Sequence, residues 1–543
     1  MKGTIRGTMY RQNERNICSI FLRPQEQMLS AQVCSDLQLT AVTANIPFKT
    51  QWGHTAFYES IQKYETCPKQ LRKKQLPLLA LRSSPDLQAK ITSELNTLDT
   101  KCMDESIKNT DSRISEAVTQ ILWKPDSYGA FLNTSPTALN ALMTWKSIIL
   151  PGFAILMPLI AIIIPFFVLK FMDSDLTSAA YLERVRVVLL KQFMVPSFLK
   201  SRGENDRIGF IIESLFIGLS LAVFISSLWN QISSALHLRS IWNDLKSRGA
   251  AFQTMFLGAE HILDACKALP IKKQRALKYV IAEGDAALEE CKTLRGLDSI
   301  ATFGALWNNA KQIQRLQSWI GHIDALCCIS ELKGICFPRY ESAVTGLKIS
   351  GVYHPLVDKC VHNDYDVCGH VILTGPNRGG KTTFCKAVGV AIVTAQSWGF
   401  AWARSMKLTP FKSILTALES TGRLGELSTF EAEIEFAKSV LALKDRPAFI
   451  MMDEIFHSTN TGDGIAASRV FLDQLYAQTG AMSIISTHYK QLAESYGGHG
   501  ARALMMDADE NSDGILSYTY KVCDGISEKS SVMEILRERG LTA

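Results

Sequence analysis

His370-Val-Ile-Leu-Thr-Gly-Pro-Asn-Arg-Gly-Gly-Lys-Thr-Thr383 decides the fold of the C-terminal part of this chain. A short apolar run leads into Gly375–Thr382, which satisfies GxxxxGK[ST] at every position, and an apolar helical stretch from Phe384 to Val393 follows. Strand, loop and helix in that order make an anion site. Gly375, Gly379 and Gly380, with Pro376, Asn377 and Arg378 between them, let the backbone curl so that its N–H groups and the helix dipole face phosphates. Lys381 then neutralises phosphate oxygens, and the hydroxyl of Thr382, beside Thr383, is suited to ligate Mg²⁺. ATP and Mg²⁺ are therefore the expected cofactors.

Two more apolar runs end in polar residues. Phe449-Ile-Met-Met-Asp453-Glu454 delivers two carboxylates, Asp453 to hold the Mg²⁺ water shell and Glu454 to polarise the attacking water. Ile484-Ile-Ser-Thr-His488 places an imidazole where it can sense the γ-phosphate. Strands over His370–Thr374, Ala448–Met452 and Met482–Ser486 alternate with helical stretches, which predicts an α/β domain over 336–543 with a parallel sheet and crossover helices.

Upstream the character changes. Residues 231–335 have helical apolar spacing with breaks at Pro270 and Gly296, which predicts two or three long helices. Ser147–Leu169 carries no charge between Lys146 and Lys170, and Ile208–Trp229 carries one acid, Glu213. Both are long enough for a bilayer core. They predict a transmembrane hairpin with helices over about 147–169 and 208–229, within residues 147–230. Pro151, Pro158 and Pro165 would bend or break the first helix unless packed. Residues 1–146 form a mixed, mildly basic N-terminal region.

The 543 residues carry 58 basic and 52 acidic side chains, a net charge of +6 that permits an acidic partner without demanding one. With 47% hydrophobic residues the composition argues against wholesale disorder. Its 13 cysteines contain no CxxC pair, so neither a disulfide framework nor zinc is expected. No apolar h-region of signal-peptide length lies in the first thirty residues, so no cleaved signal is expected.

Taken together, Thr374-Gly-Pro-Asn-Arg-Gly-Gly-Lys-Thr-Thr383, Leu427-Ser-Thr-Phe-Glu-Ala-Glu433, Met452-Asp-Glu-Ile455 with Asp463-Gly464, and Ser486-Thr-His-Tyr489 resemble the ordered signatures of the MutS mismatch-repair ATPases. His354-Pro-Leu-Val357 with Asn363-Asp364 resembles the lead into the family's P-loop. Ile323-Asp-Ala-Leu326 looks like the end of its lever helices, and Tyr520-Lys-Val522 with Asp524-Gly525 and Ser530-Ser531 like its last ATPase motif. Residues 35–82 look like the start of the family's core domain.

The resemblance implies a MutS/ABC-type ATPase preceded by a helical core and lever region. It also implies a homodimer, or a heterodimer with a related chain, in which Ser428 reaches the γ-phosphate held by the partner. Double-stranded DNA and a lipid bilayer are further expected partners, with the ATPase domain in the cytosol or another ATP-containing compartment. Phe456-His-Ser-Thr459 stands where most members have Gly-Arg-Gly-Thr, which resembles a membrane-anchored branch. Cys360, Val361 and His362 occupy the place of the usual adenine-stacking aromatic, leaving His362 and Tyr365 as candidates. Ala56-Phe-Tyr-Glu59 resembles a Phe-x-Glu mismatch wedge, but its context favours a core helix. Where the family carries a strand-rich DNA clamp this chain has the apolar hairpin, so an ATP-gated membrane scaffold without DNA binding is the alternative reading.

Overall fold

The computed structural model describes residues 26–98, 118–172, 177–183, 207–341, 346–418, 429–444, 446–511 and 515–540. They form two compact units. One comprises Met1–Asn96, His261–Ala286 and Gln317–Ala543, the other Thr97–Glu260 and Ala287–Leu316. The region expected to be a separate lever block, 231–335, thus contributes to both.

The first unit opens with β1 (Glu26–Met28), helix α1 (Ala31–Asp36), helix α2 (Gln51–Ile61) and β2 (Lys63–Glu65), the two strands pairing antiparallel. Thr50 caps α2, its hydroxyl accepting from the Gly53 N–H at 2.9 Å. Asp324 holds that cap in place. It is fully buried on helix α5 (Gln314–Glu331) and accepts hydrogen bonds from Lys49 N, Thr50 N and Thr50 Oγ1 at 3.1, 2.7 and 2.7 Å. Two glycines permit the approach: a β-carbon on Gly53 would meet the Asp324 carboxylate, and one on Gly321 the Trp52 carbonyl at 2.4 Å. Removing Asp324 would leave buried N–H groups unpaired, at about 1–3 kcal/mol each.

Within the same unit, β3 (Arg339–Tyr340), β4 (Leu347–Val352), β5 (Asn363–Val367) and β7 (Ser405–Leu408) form a sheet in the order β3-β7-β4-β5. The second sheet contains β6 (His370–Thr374), β8 (Ser413–Ala417), β9 (Ala448–Met452), β10 (Ala481–Ser486), β11 (Ala501–Glu510) and β12 (Leu516–Asp524), ordered β12-β11-β6-β10-β9-β8. Five strands run parallel and β12 returns antiparallel to β11. Every residue of β6, β9 and β10 is buried, as expected of strands covered on both faces. Helix α6 (Lys381–Ser397) follows β6 and is buried throughout from Phe384 onward. Gly389 lets it sit tightly, since a β-carbon there would lie 2.6 Å from Leu37 Cδ2 and 2.8 Å from Met451 Cε.

The second unit is helical among its described residues, with no strand. Asn133 is buried and locks its own loop, accepting from Trp123 N at 2.9 Å and donating to Trp123 O and Asn308 Oδ1 at 2.8 Å each. The two apolar runs lie in helices whose bounds differ from those expected. Helix α3 (Leu150–Met172) continues through Pro151, Pro158 and Pro165 without the predicted break. A π-helical turn at Trp145–Ile149 immediately precedes it, where Pro151 removes a backbone donor.

Helix α4 (Arg207–Lys267) is 61 residues long and does not end near Trp229, so the second apolar run is the first part of a longer helix. Nothing in the sequence at 229–231 caps or breaks a helix, whereas Pro270 does so just beyond Lys267. The break at Gly296 is also found, with φ +83°. An additional break at Asn309–Ile313 shortens the helices beyond the expectation. Pro136–Met157 is a 22-residue apolar helical stretch with 11% of its most apolar window buried, long enough to cross a membrane by length and composition. Large side chains such as Phe153, Phe167, Phe171, Val223 and Trp229 are exposed on α3 and α4.

Candidate nucleotide site

The sheet brings three strand ends together. β6 leads to the loop Gly375–Gly380 and the N-terminus of α6, while β9 and β10, neighbours on the same side, deliver Asp453-Glu454 and Ser486-Thr487-His488. The loop curls where its glycines allow it. Gly375 and Gly380 have φ +153° and +93°, and Arg378 also lies in the left-handed region at +65°. Gly379 packs on the Pro376 carbonyl, 3.0 Å from where a β-carbon would sit. Asn377 is exposed, and Arg378 turns away to pair with Glu538 at 2.6 Å on helix α9 (Val532–Glu538).

Lys381 is buried. Its ammonium donates to the Gly375 and Pro376 carbonyls at 3.1 and 3.3 Å, and burial pulls its pKa down while Asp453 and Glu454 oppose that shift. The Thr382 hydroxyl donates to Asp453, and the Ser486 hydroxyl donates to the other oxygen of that carboxylate. Ser486 Oγ also accepts from Glu454 N at 3.0 Å, so one serine on β10 orients both acids at the end of β9. His488 Nε2 lies 2.7 Å from Glu454 Oε1. That hydrogen bond holds the Glu454 pKa below the usual carboxylate value against partial burial. Thr382 and Asp453 thus juxtapose a hydroxyl and a carboxylate oxygen, the hard donors that suit Mg²⁺. Thr383 is half-buried beside them. Ser428 lies outside the described residues, immediately before helix α7 (Thr429–Leu441).

The turn after Glu454 is unusual. Glu454 and Phe456 both have left-handed backbones, φ +54° and +47°, at about 1–2 kcal/mol each for residues with a β-carbon. Packing and hydrogen bonds offset that cost. The Phe456 ring is buried edge-on against Phe430 and Phe471 at 6.0 and 6.1 Å. Its carbonyl accepts from Tyr489 Oη at 3.2 Å. Gly464, on helix α8 (Thr461–Tyr476), leaves the room, since a β-carbon there would come 2.6 Å from both of those oxygens.

Of the two adenine candidates, Tyr365 is excluded, because it is fully buried against Phe384. His362 is exposed, with its ring 4.7 Å from that of Tyr353 and Nδ1 3.1 Å from the Gly351 carbonyl. An aromatic without an assigned role lies closer to the loop. Tyr520 has φ +55° at an irregularity in the β11–β12 pairing, and its ring lies 3.2 Å from where a β-carbon on Gly380 would be. Asn363 fixes it there, donating to Tyr520 O and accepting from Val522 N at 2.9 Å each. The sequence marks Tyr520-Lys-Val522 as part of a motif, but the bulge that brings the ring to the loop is set by strand pairing.

The Phe57 wedge is also excluded, as the sequence context favoured. Phe57 is fully buried on α2 and stacked on Trp398 at 5.3 Å and 13°, with Tyr58 half-buried beside it.

Comparison with known proteins bears on this domain. Residues 371–542 match the model of the family described as MutS domain V. The chain is similar to a DNA mismatch repair protein MutS of Fervidobacterium nodosum, 29% identical over 244 residues, covering 42% of this chain and 29% of that protein. It is similar to the MutS of Shouchella clausii, 29% identical over 245 residues, covering 42% and 28%. It is also similar to the DNA mismatch repair protein msh3 of Botryotinia fuckeliana, 26% identical over 261 residues, covering 41% and 23%. The match therefore spans less than a third of the length of these relatives.

Proposed function

This chain belonging to the MutS family through its domain V, we propose that it is a dimeric ATP hydrolase in which nucleotide state moves the helical region and through it a DNA contact at a membrane. The observation that carries the ATPase reading is the convergence of Lys381, Thr382, Asp453, Glu454 and His488 at adjacent ends of β6, β9 and β10. Lys381 exchanges its own loop's carbonyls for the β and γ oxygens of ATP. Thr382 and Asp453 would hold Mg²⁺, which when bound would offset charge on the phosphate oxygens. Glu454, kept ionised by His488, accepts a proton from the attacking water. The Tyr520 ring offers a face to the bound nucleotide, and Ser428 completes the site of the partner chain.

The DNA role is inferred from what the relatives are named for. Purified dimer should bind double-stranded DNA with an affinity that changes on adding ATP and falls steeply with salt, because phosphate contacts release counterions. Absence of salt-dependent binding, with and without ATP, would leave the second reading, an ATP-gated membrane scaffold. That alternative draws support from the second unit, whose described residues hold apolar helices and no strand.

The membrane association rests on the exposed apolar side chains of α3 and the first part of α4. A helix packed in a soluble core buries such residues, and a surface helix alternates them with polar ones. The full chain should resist extraction by high salt and alkaline carbonate and be released by detergent. Recovery in the supernatant without detergent would refute membrane association.

A further inference from the structure

His457 lies outside the cluster that would touch nucleotide, three residues beyond Glu454, yet it contacts both sides of the catalytic turn. Its Nδ1 is 2.7 Å from the Glu454 carbonyl oxygen and 3.2 Å from Glu433 Oε1. The carbonyl is an acceptor, so Nδ1 carries the proton and donates to it, and the Glu433 carboxylate lies beside the same nitrogen at ion-pair distance. Glu433 sits on α7, the helix that begins at Thr429 directly after Ser428. Burial raises its pKa, opposed by the nearby Ser458 and His457, and its Oε2 is buried without a hydrogen-bond partner among the described residues. One imidazole therefore spans the backbone that aims Glu454 and the helix that follows the serine segment.

The backbone it holds is the one that most needs holding. Glu454 and Phe456 are left-handed on either side of Ile455, and the Glu454 carbonyl faces His457 because of that geometry. Tyr489 secures the Phe456 carbonyl and Ser486 the Glu454 N–H, which leaves the Glu454 carbonyl to His457.

We propose that His457 is a positioning residue that holds the Glu454 turn and ties it to α7 through Glu433, so that the catalytic carboxylate keeps its aim. This rests on the ATPase reading for its consequence in turnover, but not for the contact itself. The test therefore has two readouts on the full chain. Amide hydrogen exchange without nucleotide over residues 453–459 reports the hold directly. Turnover and ATP affinity report its effect.

His457→Ala is expected to raise exchange in that segment and to lower kcat at least tenfold while ATP affinity stays within about threefold of wild type. His457→Asn, whose amide N–H₂ can occupy the Nδ1 position, should restore both protection and most of the turnover. Glu433→Gln combined with His457→Ala should be no worse than His457→Ala alone, because both act through one contact. Unchanged exchange in His457→Ala, an Asn variant as impaired as the Ala variant, or multiplicative effects in the double variant would each overturn the proposal. A wild-type chain that binds ATP but never hydrolyses it would instead remove the ATPase reading, and the exchange data would still decide the role of His457.

Discussion

Glu454→Gln is expected to bind ATP with Mg²⁺ at wild-type affinity and to lose turnover by roughly two to four orders of magnitude, the range that general-base removal supplies. The substitution is nearly isosteric. Its amide oxygen can still accept from His488, and its backbone N–H still donates to Ser486, so the turn that carries it should remain as it is. What the amide cannot do is take a proton from water. The nucleotide then stays intact, and a species that would be transient in the wild type accumulates as an ATP-bound dimer. Phosphate release, equilibrium ATP binding and sedimentation of the two proteins side by side provide the check. Turnover equal to wild type would remove Glu454 as the base.

Lys381→Ala should fail earlier, at binding. The ammonium is buried, and two carbonyls of its own loop hold it. ATP replaces those neutral acceptors with phosphate oxygens, a charge-assisted contact in a desolvated site. Its loss is expected to weaken ATP binding by about a hundredfold, equivalent to about 2.7 kcal/mol. Lys381→Met, which keeps the aliphatic stem, should bind as poorly while preserving the packing, so a weak Ala variant alone cannot be blamed on unfolding. Unchanged ATP affinity in both variants would count against the site.

Mixing extends the same experiment to the partner chain. Ser428→Ala and Lys381→Ala should each be nearly inactive. A mixed dimer whose sites take Lys381 from one chain and Ser428 from the other contains one site with both residues and one with neither. Partial recovery of turnover on mixing is therefore expected. No recovery, with mixed dimers demonstrated and a single intact site shown competent, would assign Ser428 to the site of its own chain.

Much of the nucleotide site was legible in the residues because its determinants are contiguous. The strands His370–Thr374 and Ala448–Met452 occupy the residues expected of them, and the third begins one residue earlier, at Ala481. Uninterrupted apolar runs ending in a glycine loop, a pair of acids or a histidine can be read without knowing what packs on them. The same local logic says less about residues whose fate depends on distant ones. The context of Phe57 points to a core helix, but not to Trp398, 341 positions away, on which it stacks. Tyr365 alternates with acids along β5 as an accessible aromatic might, but α6 covers it with Phe384.

Residue type and spacing were enough to place the GxxxxGK[ST] loop between a strand and a helix, to pick out the acids and the histidine that the fold gathers around it, and to find two long apolar runs before it. Those features are encoded by residue type at short spacing, where backbone preference and hydrophobic run length act without help. Only long-range packing decided that Asp324 holds the Thr50 cap of a helix some 270 positions earlier, that α4 runs unbroken past the second apolar run, that Tyr520 lies close to Gly380, and that His457 joins Glu433 to the Glu454 turn. Each of these depends on strand register, helix packing or a left-handed turn. Their energies come from partners far apart in the chain, so no local pattern could carry them.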